Sequence, residues 1–101
     1  MKRMNAKSNM ISQEVGAKKL TFDEQLLKAL SSPTRIEILK NLHHRQMTLT
    51  DLSRIMKFAK STVHEHLMRL LAAGLIHRIT GRKWIYYRLS RKGNCVVGIM
   101  G

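Results

Sequence analysis

The sequence predicts a mainly α-helical domain finished by a small β-hairpin. Three observations predict it. Four stretches between Thr21 and Ala73 repeat apolar residues at helical spacing. The stretch LIHRITGRKWIYYRL, residues 75–89, sets two short runs rich in isoleucine, tyrosine and tryptophan on either side of Gly81-Arg82-Lys83, the pattern of two strands and a tight turn. A chain of 101 residues holds one modest core and is too short for a second.

Residues 1–20 mix Lys, Asn, Ser, Gln and Gly without a sustained apolar period, and are expected to form a flexible basic arm. The domain proper spans 21–93. Its first helix places Phe22, Leu26, Leu27 and Leu30 at helical spacing, with Thr21 as a candidate cap and Asp23 and Glu24 where the helix dipole favours anions. Ser32-Pro33 starts a second helix over about 33–42, because serine satisfies the orphan N–H groups and proline at the first position loses no hydrogen bond. Ile36, Leu39 and Leu42 share a face that Ile38 widens.

His43-His44-Arg45-Gln46 is a polar connector, and Met47–Leu49 a short extended piece. Thr50 is the expected cap of a third helix with Leu52, Ile55 and Met56 inward. After a break at Phe58-Ala59-Lys60, Ser61 is the expected cap of a fourth helix, 61–73, whose Val63, Leu67, Leu70 and Leu71 form one buried stripe. Gly74 stops it. The expected core is Leu27, Ile36, Leu39, Leu52, Ile55, Val63, Leu67, Leu70, Ile76 and Tyr87; residues 94–101 remain as a short, glycine-broken tail.

Charge narrows the function. There are 19 Lys and Arg against 6 Asp and Glu, and no carboxylate side chain lies beyond Glu65. Arg69, Arg78, Arg82, Lys83, Arg88, Arg91 and Lys92 are therefore unopposed, which is the potential a polyanion follows. Nucleic acid leads. A membrane surface falls behind for want of a long apolar run or a strongly amphipathic basic helix. MKRMNAKSNM lacks the apolar core of a secretory signal, and the single Cys95 allows no internal disulfide; both fit a cytoplasmic protein. The scattered carboxylates assemble no nucleophile, base and orienting group, so no enzyme is expected.

Two short helices joined by three or four residues match helix-turn-helix geometry, in which the second helix enters the major groove of double-stranded DNA N-terminus first. With Val63 and Leu67 inward, the outward set is Ser61, Thr62, His64, Glu65, Met68 and Arg69, with Lys60 just ahead. Hydroxyls and an imidazole suit base edges or phosphates, and Met68 suits a thymine methyl. Glu65 either accepts from a cytosine amino group or pairs with Arg69. Ser61 doubles as a helix cap, and His66, nearer the apolar side, reads as structural. Arg82 and Lys83 are either a solvated turn or a contact to the DNA backbone or minor groove; their place after a helix-turn-helix favours the contact.

SSPTRIEILKNL followed by TLTDLSRIMKFAKSTVHEHLMRLLAAGLIHRITGRKWIYYRLSRKG resembles the arsenical-resistance-repressor (ArsR) type of winged helix-turn-helix transcription regulator. The resemblance runs from about Leu26 to Gly93. It rests on the Pro-Thr-Arg opening, Ser-x-Val-x-x-His-Leu, Ala-Gly-Leu-Ile, the Gly-Arg turn and Tyr-Tyr-x-Leu. It implies a repressor that binds its operator as a homodimer, with Lys60 to Arg69 against bases and Arg82-Lys83 as the wing. Arg78, on the strand leading to the wing, belongs to the same expected surface.

Two departures matter. Metal-sensing members carry cysteines in the helix written here TLTDLSRIM, which has none, and the histidines repeat no zinc spacing, so no metal and no cofactor are expected. Members also commonly add a C-terminal helix that helps dimerisation, whereas eight residues follow Gly93, so dimerisation is expected to rely on residues 1–30, chiefly the helix with Leu26, Leu27 and Leu30, or on the C-terminal tail, or to be weak. The rival reading is a winged-helix protein-interaction module in a larger transcription assembly. The carboxylate-free last third favours DNA.

Overall fold

The structure, a computed structural model, describes residues 11–15 and 18–100. Chain order is β1 (Ile11–Val15), β2 (Lys18–Phe22), α1 (Glu24–Leu30), α2 (Pro33–His44), β3 (Met47–Thr48), α3 (Leu49–Met56), α4 (Lys60–Ala72), β4 (Ile76–Thr80), β5 (Ile85–Leu89) and α5 (Arg91–Met100). This is a winged helix-turn-helix: α3 and α4 are the paired helices and β4–β5 the wing. Of the segment expected as a basic arm, β1 and β2 pair antiparallel from Ile11↔Phe22 to Val15↔Lys18, while residues 1–10, 16 and 17 lie outside the described residues.

The sheet has the order β3-β5-β4, all antiparallel. Pairing of Ile76 with Leu89 and of Thr80 with Ile85 fixes the register that turns Tyr87 and Leu89 into the core. Leu26 of α1, Ile38 and Leu39 of α2, Leu52 of α3, and Val63, Leu67 and Leu70 of α4 are fully buried, together with Leu75. One core therefore holds the helices and the wing base.

Several caps differ from expectation. Asp23, not Thr21, caps α1: its Oδ1 accepts from Leu26 N–H at 2.8 Å, and Thr21 lies in β2. Ser32 caps α2 as the sequence predicts, accepting from Arg35 N–H at 3.3 Å. Thr48, not Thr50, caps α3, through a reciprocal box: Asp51 N–H donates to Thr48 Oγ1 and Thr48 N–H to Asp51 Oδ2, both at 3.0 Å. The backbone hydrogen bond from Thr48 is the main reason the Asp51 carboxyl sits below its ordinary pKa. Ser61 caps nothing, because α4 begins at Lys60 with Ala59 as its uncapped boundary.

Three expected core residues lie elsewhere. Leu27 is 54% exposed and Ile55 46%, and Ile36 is half-buried. Helical spacing offers adjacent stripes on each helix, and packing selects Leu26 with Ala29 on α1 and Ile38, Leu39 and Leu42 on α2.

The C-terminal tail is a helix, which the glycines concealed. Ser90 starts it: its Oγ accepts from Gly93 N–H at 3.0 Å and donates to the Gly74 carbonyl at 2.6 Å. A Cβ at Gly93 would stand 2.1 Å from the Leu75 carbonyl oxygen, so only glycine lets α5 approach the end of α4 this closely. Cys95, Val96 and Val97 are buried beyond it, which offsets the roughly 1 kcal/mol each helical glycine costs.

Leu67→Ala should destabilise the domain by ~2–5 kcal/mol, since the residue is fully buried and its truncation opens a cavity in the core. Chemical denaturation of both proteins measures this, and an unchanged midpoint would show that the site collapses without cost.

Candidate nucleic-acid interface

The helix-turn-helix corner is set by Lys57, Phe58 and Ala59. Lys57 ends α3 in the left-handed conformation, φ 60°, and its N–H donates to the Ser53 carbonyl at 2.9 Å. Ser53 Oγ then donates to the Phe58 carbonyl at 2.6 Å, closing the turn. α4 leaves this corner with no side-chain cap. The N–H groups of its first residues have no partner within the helix, so they project into solvent at its positive dipole end.

The expected surface of α4 is brought together almost as the sequence reads it. Lys60, Ser61, Thr62, His64, Glu65 and Arg69 are exposed. Ser61, Thr62, His64 and Glu65 border a hollow of about 520 Å³ with Lys60 and Leu49. Met68 is the exception, half-buried and packed against the core, which leaves little of its side chain to offer outward. Glu65 and Arg69 form no ion pair; among the described residues the one ion pair is the exposed Lys28–Glu24 at 3.8 Å.

Arg78, Arg82 and Lys83 are exposed on the wing. The turn is one residue longer than the Gly-Arg-Lys reading: Gly81 N–H donates to the Trp84 carbonyl at 2.8 Å, enclosing Arg82 and Lys83. Trp84, 53% exposed, stands beside them. In the sequence Trp84 counts among the strand-forming residues, and its place next to the turn is the signal that packing leaves it uncovered.

Arg35 was also missed as a positioning residue. From the first turn of α2 its Nε donates to the Ala29 carbonyl at 2.8 Å and an Nη to the Lys28 carbonyl at 2.9 Å, which satisfies the end of α1. The other Nη reaches His66 Nδ1 on α4 at 3.2 Å. Since guanidinium only donates, His66 accepts there and is neutral, with its proton on Nε2. Burial, then the charge of Arg35, lower the His66 pKa; Glu65 opposes this and Arg69 adds to it. One side chain thus links α1, α2 and α4.

Among the described residues no three His, Cys, Asp or Glu side chains are grouped to hold a metal ion, Cys95 is buried as a free thiol, and no helix is long and apolar enough to cross a membrane.

Residues 32–78 match the family model described as bacterial regulatory protein, arsR family. Over 72 residues the chain is 32% identical to the transcriptional repressor PagR of Bacillus anthracis, covering 70% of this chain and 72% of PagR. It is 40% identical over 68 residues to the arsenical resistance operon repressor of Bacillus subtilis (strain 168), covering 66% of this chain and 65%, just under two thirds, of that relative. In structure it is similar to HlyU from Vibrio cholerae N16961, with a TM-score of 0.69 and 25% identity over 75% of this chain and 84% of HlyU.

The lowered His66 pKa makes a pH prediction. Below the ordinary histidine pKa of about 6.5 the unfolded chain takes up a proton at His66 that the folded chain resists. The stabilisation is therefore complete above about pH 6.5 and is lost as pH falls through the folded value. His66→Gln keeps an acceptor for Arg35 but does not titrate. Denaturation midpoints measured between about pH 7.5 and 5 should fall less in this variant than in the parent; parallel curves would show that His66 is not linked to folding.

Proposed function

The chain belongs to the arsR family of bacterial regulatory proteins, and from that membership we propose that it is a cytoplasmic, sequence-specific repressor that binds double-stranded DNA as a homodimer. The observation that carries this reading is the uncapped, exposed start of α4, whose free N–H groups, with Lys60 beside them, suit a phosphate at the edge of the major groove. Thr62, His64 and Glu65 then face base edges, with Ser61 between base and phosphate. Arg69 follows the backbone. Met68 contributes a partial apolar surface at most. Arg78, Arg82 and Lys83 lie along the flanking backbone or in the minor groove. The relatives' names as repressors support the direction of regulation.

Dimerisation has its support on α1. Leu27 is exposed there beside half-buried Leu30, on a helix of seven residues that buries only Leu26 and Ala29 in its own domain. A second copy covers such a face through a two-fold contact, and two recognition helices then meet half-sites about one helical turn apart. Sedimentation at micromolar concentration should give a dimer that Leu27→Glu shifts to monomer. A parent protein sedimenting only as monomer would remove α1 as the interface.

The wing and the helix are separable by salt. Replacing Arg82 and Lys83 with alanine should weaken binding to cognate and scrambled duplexes alike, and lower the log–log salt slope by about 0.9 for each phosphate that the wing no longer neutralises. Thr62→Ala or His64→Ala should cost ~1–3 kcal/mol on the cognate site and little on scrambled DNA. A double wing mutant that binds both duplexes like the parent would make the tip a solvated turn. Should no duplex bind, the protein-interaction reading takes over. Exposed Ile55 and Phe58, which line a groove between α2 and α3, would then be its contact surface.

A further inference from the structure

We propose that the cleft between α1, α2 and α4 is a binding site for a small oxyanion, held between the guanidinium groups of Arg35 and Arg69. The cleft has a volume of about 300 Å³, with Ala29 and Ala72 as small walls that leave it open. That is the lower end of the range for ligand sites and suits a phosphate or carboxylate with a short body. Glu24 also lines the cleft, but its carboxylate pairs with Lys28 at 3.8 Å, so neither guanidinium has a carboxylate partner among the described residues.

Arg35 is held for this role before any ligand arrives. Three of its donors are committed to the carbonyls of Ala29 and Lys28 and to His66, which fixes the plane of the group; two of the five remain. Burial first, and then the like charge of Arg69 across the cleft, lower the Arg35 pKa. An oxyanion there relieves the repulsion and gains charge-assisted hydrogen bonds from both sides. It also bridges α2 to α4. If α4 reads DNA as proposed above, a free anion that engages Arg69 withdraws a cation from the DNA surface and weakens operator binding. The site itself does not depend on that reading.

The test uses the full chain without DNA, titrated with inorganic phosphate against chloride at constant ionic strength, while NMR follows the Nε–H signals of Arg35 and Arg69. Both signals should shift and saturate together. Arg69→Gln should weaken binding about tenfold, as loss of one charge-assisted hydrogen bond implies, and Ala72→Leu should weaken it by filling the cleft. Circular dichroism confirms that each variant is folded. Lys40→Gln, which removes a cation from a different hollow beside α5, should leave the affinity unchanged. A linear drift without saturation, or equal weakening by Lys40→Gln, would overturn the proposal by reducing it to diffuse attraction to a basic protein. Repeating the titration with a scrambled duplex bound separates the two sources of the anion. Phosphate binding that persists assigns the site to a free oxyanion; shifts caused by the duplex, with phosphate excluded, assign it to a backbone phosphate.

Discussion

Burial of Val63, Leu67 and Leu70 along one side of α4 is the constraint on which the candidate interface depends. Those positions are three and four residues apart, so they share one stripe, and filling that stripe commits the opposite face to solvent. The helix is then fixed at both ends by polar contacts. At its start Ser53 closes the turn from α3, and at its finish Ser90 and Lys92 donate to the carbonyls of Gly74 and Ala73 at 2.6 and 2.9 Å. Held in this way, the exposed row from Lys60 to Arg69 is rigid without any of its members being needed for packing, apart from Met68.

The few carboxylates are used where they do not cancel the basic surface. Asp23 and Asp51 serve as helix-start acceptors, and Glu24 pairs with Lys28 on α1. Glu65 is the only carboxylate on α4 and makes no ion pair. From there to the C-terminus every charged side chain is cationic. Stability and surface potential are thus handled by different residues: short-range caps hold the helices, while Lys and Arg on α4 and the wing generate a field that reaches about 10 Å at ordinary ionic strength.

Arg35 joins these two roles. It satisfies carbonyl groups at the end of α1 and also reaches His66 on α4, so a cation that stabilises the fold borders the cleft beside α4. Proton uptake by His66 opposes this contact, because both partners would then be donors with like charge. The packing of α1 and the setting of α4 consequently share one hydrogen-bonded side chain.

The sequence by itself determined the first four helices, the hairpin and the basic surface. Apolar residues at helical spacing, Ser32-Pro33, Gly74 and the alternation around Gly81 are local signals, legible without knowing what lies opposite. The outward row of α4 was legible for the same reason, as the complement of a strong stripe. Tertiary structure alone decided between neighbouring stripes, putting Leu26 inside and Leu27 outside, because a short helix can turn either face to a core it does not itself define. It also decided α5: Gly93 disfavours a helix locally, and only the nearby Leu75 carbonyl shows why glycine is required there. Arg35 meets His66 across 31 residues of sequence. No local period encodes such a contact, since it exists only once α1, α2 and α4 have packed.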